Sequence, residues 1–269
     1  MNGCLPGQVD KKLTREILEA VAAGFNSQVG FTMDLMRHAS VRGMEDGAQA
    51  WLYGALEKRG YGMDRWTIDV GEIEGHPGFS PVKVDYNNAV NVVATHISRE
   101  ERGRSLILNG HIDVVPTGPV DMWTRPPFEP WIESDWLYGR GGADMKAGLC
   151  ANIFALDALK TLGLQPSAEV FVQSVTEEEC TGNGALSALV RGYSAEAALI
   201  PEPEEDKLVR ANVGVIWFRV HVRGRPFHVR EAGLGSNAIE AAYRLIEALK
   251  ELEEDWNRRR SKFRHFEDL

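Results

Sequence analysis

The segment SLILNGHIDVVPTG, residues 105–118, sets an apolar run against a histidine and an aspartate two positions apart. Ser105–Leu108 reads as a buried strand, and period-two geometry points His111 and Asp113 to the same side just beyond it. Open α/β sheets gather their chemistry in loops at the carboxyl ends of strands. A neutral imidazole in such a loop is a good zinc ligand, and a nearby carboxylate orients it or a catalytic partner. A turn histidine followed by a helix-capping aspartate is the competing reading, so the pair needs support from the rest of the chain.

Upstream, Leu13, Ile17, Val21 and Phe25 recur every four residues and predict a helix over 11–38. A second helix is expected from about Glu45 to Arg59, closed by Gly60. Strands are expected at Arg65–Val70, Ala89–Thr95, Glu169–Val175 and Ala197–Ile200, with helices at Asp144–Leu162 and Gly184–Val190. Apolar strands alternating with helices predict an α/β fold, a mostly parallel mixed sheet flanked by helices. The pattern changes near Asn212. In VGVIWFRVHVRG, residues 213–224, apolar Ile216, Phe218, Val220 and Val222 alternate with Arg219, His221 and Arg223, as in a half-exposed strand. A helix striped with Ile239, Ala242, Ile246, Leu249 and Leu252 follows. The expected division is therefore a first domain at 1–212 and the first part of a small α+β domain at 213–269.

Three further loops end on ligand chemistry. In YGRGGADMKAG, residues 138–148, glycines permit a tight turn and Asp144 falls at the start of the expected helix. There it is either an ordinary N-cap or a carboxylate kept ionised by the helix end for a metal. In VFVQSVTEEECTGNG, residues 170–184, three consecutive acids follow a strand apolar on both faces. They are either a solvated loop or neighbours tolerated beside a dication, with one binding metal and another moving protons. In ALIPEPEED, residues 198–206, Glu202 sits between two stiffening prolines. Together these loops bring one histidine and several carboxylates to successive strand ends. Such donors suit Zn²⁺, Mn²⁺ or Co²⁺ rather than soft copper, and a shared carboxylate would make a two-metal site.

The bulk properties restrict the alternatives. The 269 residues carry a net charge of −9, against a general electrostatic grip on nucleic acid. No uninterrupted apolar span is long enough to cross a membrane. The N-terminal MNGCLPGQVDKK lacks a basic-then-apolar signal pattern. Cys4, Cys150 and Cys180 are odd in number and scattered, which fits reduced thiols in a cytoplasm.

HID at 111–113, WTRPPFEP at 123–130, YGRGGADMKAG at 138–148, TEEECTGNGA at 176–185 and PEP at 201–203 together resemble the zinc-dependent M20 metallopeptidases. GRPFH at 224–228, GLGSNAI at 233–239 and SVRGMEDGAQAWLYGALEKRGY at 40–61 extend the resemblance. That family includes acetylornithine deacetylase, succinyl-diaminopimelate desuccinylase, aminoacylase and glutamate carboxypeptidases. The resemblance implies a catalytic domain, the start of a lid and dimerisation domain, and metal-dependent hydrolysis of an amide bond in N-acyl amino acids or small peptides. Zn²⁺ is the expected ion, with Co²⁺ or Mn²⁺ as substitutes. By the same resemblance His111 is a ligand of one metal with Asp113 behind it, and Asp144 bridges two metals. Glu178 is the general base, Glu179 a ligand of one ion and Glu202 of the other. His228 is the lid histidine that reaches a partner's site in a homodimer and steadies the oxyanion.

Members of the resembled family usually run well beyond 269 residues, and their final histidine ligand has no counterpart in this sequence. Only His265 lies near the C-terminus, and RRRSKFRHFEDL does not resemble that ligand segment. The expectation is one well-formed metal site, a second short of ligands, and a choice among a deacylase, a dipeptidase or carboxypeptidase, and a non-catalytic remnant of the scaffold.

Overall fold

The structure is a computed structural model. It describes residues 10–99, 102–204, 207–210, 212, 214, 216, 218–226, 228–230 and 235–262. Cys4 and His265 lie outside the described residues. The chain divides into two compact units, Met1–Asp206 and Lys207–Leu269.

The first unit opens with helix α1, Lys11–Met36, whose N-cap Asp10 accepts a hydrogen bond from the Lys12 amide. Helix α2, Asp46–Glu57, leads through Gly60 into strand β1, Gly62–Thr67. A short helix α3, Val70–Ile73, is capped by Asp69, which ends the preceding strand before the expected Val70. Strands β2, Val90–His96, and β3, Leu106–His111, follow. A small hairpin, β4 at Trp131–Glu133 and β5 at Trp136–Tyr138, precedes helix α4, Ala147–Thr161. Strand β6, Val170–Val175, helix α5, Asn183–Val190, and strand β7, Ala197–Leu199, complete the unit.

The main sheet has the order β1-β2-β6-β3-β7. Strand β2 runs antiparallel to both neighbours, whereas β3 is parallel to β6 and to β7. Four of the five strands therefore point the same way. All six residues of β6 are buried, as a central strand covered on both faces requires. On one face Val92, Ala94, Leu108 and Val172 pack against Leu35, Leu52, Leu149 and Ile153 of α1, α2 and α4. On the other, Val93, Phe171 and Val175 cluster with Trp66 of β1 and Ala188 of α5. Each such fully buried aliphatic side chain contributes about 1.5–3 kcal/mol. Buried Gln49 donates to the carbonyls of Val90 and Ser174, tying α2 to β2 and β6 at once.

Two expected elements differ in ways that shape the site. Strand β3 continues past Leu108 because Asn109, Gly110 and His111 pair with Gln173, Ser174 and Val175. The helix expected from Asp144 begins only at Ala147, with no side-chain cap. Asp144 instead sits in an irregular turn, extended at φ −112° and ψ 102°. It is thus not the N-cap of that helix.

The second unit contains helix α6, Ala238–Arg258, capped by Asn237 and with no buried residue. The strand expected at 213–224 falls partly outside the described residues, since 213, 215 and 217 are not among them; of its described residues, Ile216 and Phe218 are 71% and 64% exposed.

One close approach links the core to the loop after β7. A Cβ on Gly148, in the first turn of α4, would come within 2.1 Å of the Pro201 carbonyl oxygen. Gly148→Ala is expected to destabilise the protein by about 1–3 kcal/mol through overpacking, measured by urea unfolding. Wild-type stability in that variant would refute the contact.

Candidate metal centre

Parallel pairing puts the exits of β3, β6 and β7 at one end of the sheet, and the centre is built there. His111 ends β3 and is 1% exposed. Its Nδ1 lies 2.8 Å from the backbone oxygen of Asp113, which can only accept, so Nδ1 carries the proton of that bond. Nε2 faces the acidic loops. Asp144 Oδ1 is 3.0 Å away, Glu178 Oε2 3.8 Å and Glu202 Oε1 3.8 Å.

His111, Asp144 and Glu202 each offer a ligand atom within 4.8 Å of the others'. They come from β3, the turn before α4 and the loop after β7. The irregular turn matters here, because a capping Asp144 would have faced the α4 amides. Glu178 stands beside the trio and is half exposed. Glu179 is outside the trio, but its amide donates to Asp113 Oδ2 at 3.1 Å. Asp113 is buried, and its Oδ1 lies 3.6 Å from His111 Nδ1. His228 is exposed on the second unit, where its Nδ1 accepts from the Arg230 amide.

The electrostatics of the cluster are unbalanced. Burial, then the charges of Glu178, Asp144 and Glu179, push Glu202 up to about 7 despite His111. Burial and the charge of Asp144 also raise Glu179. Burial works against a charged His111, yet Asp113, Glu178 and Glu202 together hold it above the usual histidine range. One imidazole nitrogen and several carboxylate oxygens, with negative charge in excess, form a donor set that fits a divalent ion of the Zn²⁺, Co²⁺ or Mn²⁺ kind. The residues present therefore fit the ion that the sequence resemblance implies.

Several supporting residues were not singled out from the sequence. Glu177 is buried, and its carboxylate receives Arg42 Nε and Nη2 at 2.6 Å each, Tyr86 Oη at 2.6 Å and Thr181 Oγ1 at 2.9 Å. Burial favours the neutral acid, but these donors keep Glu177 below the usual carboxylate range. Lys146 is fully buried and donates to the carbonyls of Leu35 and His38, tying the Asp144 turn to the end of α1. Burial lowers its pKa to about 8. Glu45 is 1% exposed, with no hydrogen-bond partner for either carboxylate oxygen among the described residues. Nothing in TEEE alone marks Glu177 as the inward member, although the arginine of SVRG is a visible counter-charge for one of them.

The family model for peptidase family M20/M25/M40 matches residues 107–266. Over 220 residues the chain is 34% identical to N-formyl-4-amino-5-aminomethyl-2-methylpyrimidine deformylase of Halalkalibacterium halodurans, covering 78% of this chain and 47% of the relative. A probable succinyl-diaminopimelate desuccinylase of Staphylococcus aureus is 34% identical over 148 residues, 54% of this chain and 36% of the relative. The chain spans about half the length of the first of these relatives. In structure it is similar to the di-peptidase Dug1p of Saccharomyces cerevisiae, with a TM-score of 0.53 and 18% identity. That match covers 64% of this chain and 36% of the other, and is a likeness of fold.

Glu45 yields a prediction. Burial, the largest cause, with the charges of Asp113 and Glu177, pushes its pKa from 4.5 up to about 7. Between those values the folded chain holds a proton that the unfolded chain has released. Stability is therefore lost as pH rises from about 4.5 through 7, on the order of 3 kcal/mol in all. Glu45→Gln should remove that loss, so its advantage over wild type in urea unfolding grows from pH 5 to pH 8. An advantage independent of pH would contradict this.

Proposed function

Because this chain belongs to peptidase family M20/M25/M40, we propose that it hydrolyses an amide bond in an N-acyl amino acid or small peptide, with metal as cofactor. The observation that carries the reading is the gathering of His111 Nε2, Asp144 and Glu202, with Glu178 3.8 Å from the same nitrogen. His111, Asp144 and Glu202 would hold one divalent ion, zinc first among the candidates. Asp144 and Glu179 would contribute to a second, and no group of three donors among the described residues includes Glu179. The first ion would accordingly be the tighter.

Bound metal supplies Lewis acidity, polarising an amide carbonyl and making a water more acidic. The remaining work falls to side chains. Glu178 takes the proton of the attacking water and returns it to the leaving amine nitrogen. The Asp113 backbone oxygen fixes the Nδ1–H tautomer of His111, so that Nε2, on the side of Asp144, Glu178 and Glu202, would be the nitrogen that ligates. His228 steadies the oxyanion from a partner chain in a homodimer formed through the second unit.

Deacylation is favoured over peptide cleavage, because the sequence relatives are named as a deformylase and a desuccinylase. Dipeptidase or carboxypeptidase action is the second reading, since the di-peptidase likeness is one of fold alone. The position of Glu178 beside His111 speaks against a non-catalytic scaffold. No helix among the described residues is long and apolar enough to cross a membrane. The free thiols of Cys150 and Cys180 suit a reducing cytoplasm.

The test is hydrolysis of a panel of N-formyl, N-acetyl and N-succinyl amino acids with added Zn²⁺ or Co²⁺, before and after chelation. Turnover should require the metal, and Glu178→Ala should lower kcat by about 10²–10⁴-fold with metal content intact. Near-normal kcat in that variant would remove Glu178 from the reaction. In a second experiment, His111→Ala should weaken zinc binding at least about tenfold by competition with a chelating dye. Unchanged affinity would place the ion elsewhere.

A further inference from the structure

The segment Ser40–Arg42 touches both halves of the proposed machinery. Ser40 Oγ donates to the Ile112 carbonyl at 2.5 Å, and the Ser40 carbonyl accepts from the Val114 amide at 3.0 Å. Those contacts grip the chain on either side of Asp113, just past His111. Two residues on, Arg42 makes its forked contact with Glu177, the first acid of the loop after β6.

Glu177 is where that loop reverses. It has φ +66°, and Ser134 is the other non-glycine residue with positive φ among the described residues. Its carbonyl accepts from the amides of Cys180, Thr181 and Gly182, while its side chain turns inward to Arg42, Tyr86 and Thr181. A non-glycine residue keeps this sparsely populated conformation only where its surroundings over-determine it, and here the contacts of the Glu177 side chain and carbonyl do so. The next residue, Glu178, is half exposed and beside His111, and the Glu179 amide is held by Asp113. The far end of the loop is equally fixed, because a Cβ on Gly184 would lie 1.9 Å from the Thr176 carbonyl oxygen.

We propose that Arg42 is a positioning residue: through its two bonds to buried Glu177 it sets the direction of the acidic loop and so places Glu178 beside His111. The inference rests on Glu178 being the general base. A planar fork is needed for this, since two parallel bonds fix an angle that one ammonium contact cannot. Among the described residues Arg42 hydrogen-bonds Glu177 and not one of the three proposed ligands of the ion.

The experiment uses the full chain with cobalt and the best N-acyl amino acid of the panel. Arg42→Lys and Glu177→Gln are made alone and on the Glu178→Ala background. Each single variant should lower kcat about 10–100-fold, shift KM less than about threefold and leave cobalt affinity within about threefold, as expected when a general base is misaligned. On the Glu178→Ala background the same substitutions should change kcat less than about twofold, because the group they place is gone. Crystals of Arg42→Lys should show the Glu178 carboxylate displaced from its position 3.8 Å from His111 Nε2, a readout independent of turnover.

Losses that multiply on the Glu178→Ala background, or an unmoved Glu178 in the crystal, would overturn the proposal and leave Arg42 a stabilising ion pair. If Glu178→Ala itself turns over normally, the catalytic reading fails instead, and the two failures are distinct. Should Arg42→Lys not fold, Glu177→Gln decides by the same measurements, since it keeps the side chain's shape while removing the charge and turning one of the two accepting oxygens of the fork into a donor.

Discussion

The parallel pairing of β3 with β6 and β7 fixes where this chain concentrates its chemistry. Parallel neighbours must leave the sheet at the same end, so the residues after His111, Val175 and Leu199 emerge together. Residues far apart in sequence thereby become neighbours without any loop having to be long. The turn before α4 joins them because α4 packs its buried face on the same sheet. Backbone ladders thus supply most of the precision, and the short loops add only direction.

That convergence creates an electrostatic problem that the structure solves in two ways. Glu177 is turned inward and its charge is matched by Arg42. Glu178, Glu179, Glu202 and Asp144 are left around one imidazole, and the acids in this group that are partly buried shift toward neutrality. Like charges at such separations are stable when a cation joins them. The same loop therefore holds one acid whose charge is matched by Arg42 and another, Glu178, that stands beside His111.

Much of this was legible in the sequence. The alternating strands and helices, the position of His111 after an apolar run, and the acids at successive strand ends follow from periodicity and loop chemistry. What was not legible depends on three-dimensional context. Asp144 carries the local signature of a helix cap, and the backbone of the turn that frees it is not encoded in residue type. Three adjacent glutamates look alike until Arg42, 135 positions away, selects one. The β4–β5 hairpin is two three-residue strands around Ser134, too short to show a period.

The central claim is that His111, Asp144 and Glu202 grip one divalent ion. Anomalous diffraction at the zinc edge from crystals grown with equimolar zinc measures it directly. The strongest zinc peak is expected about 2.0–2.2 Å from His111 Nε2 and from a carboxylate oxygen of each of Asp144 and Glu202. A principal zinc peak that does not touch His111 would contradict it.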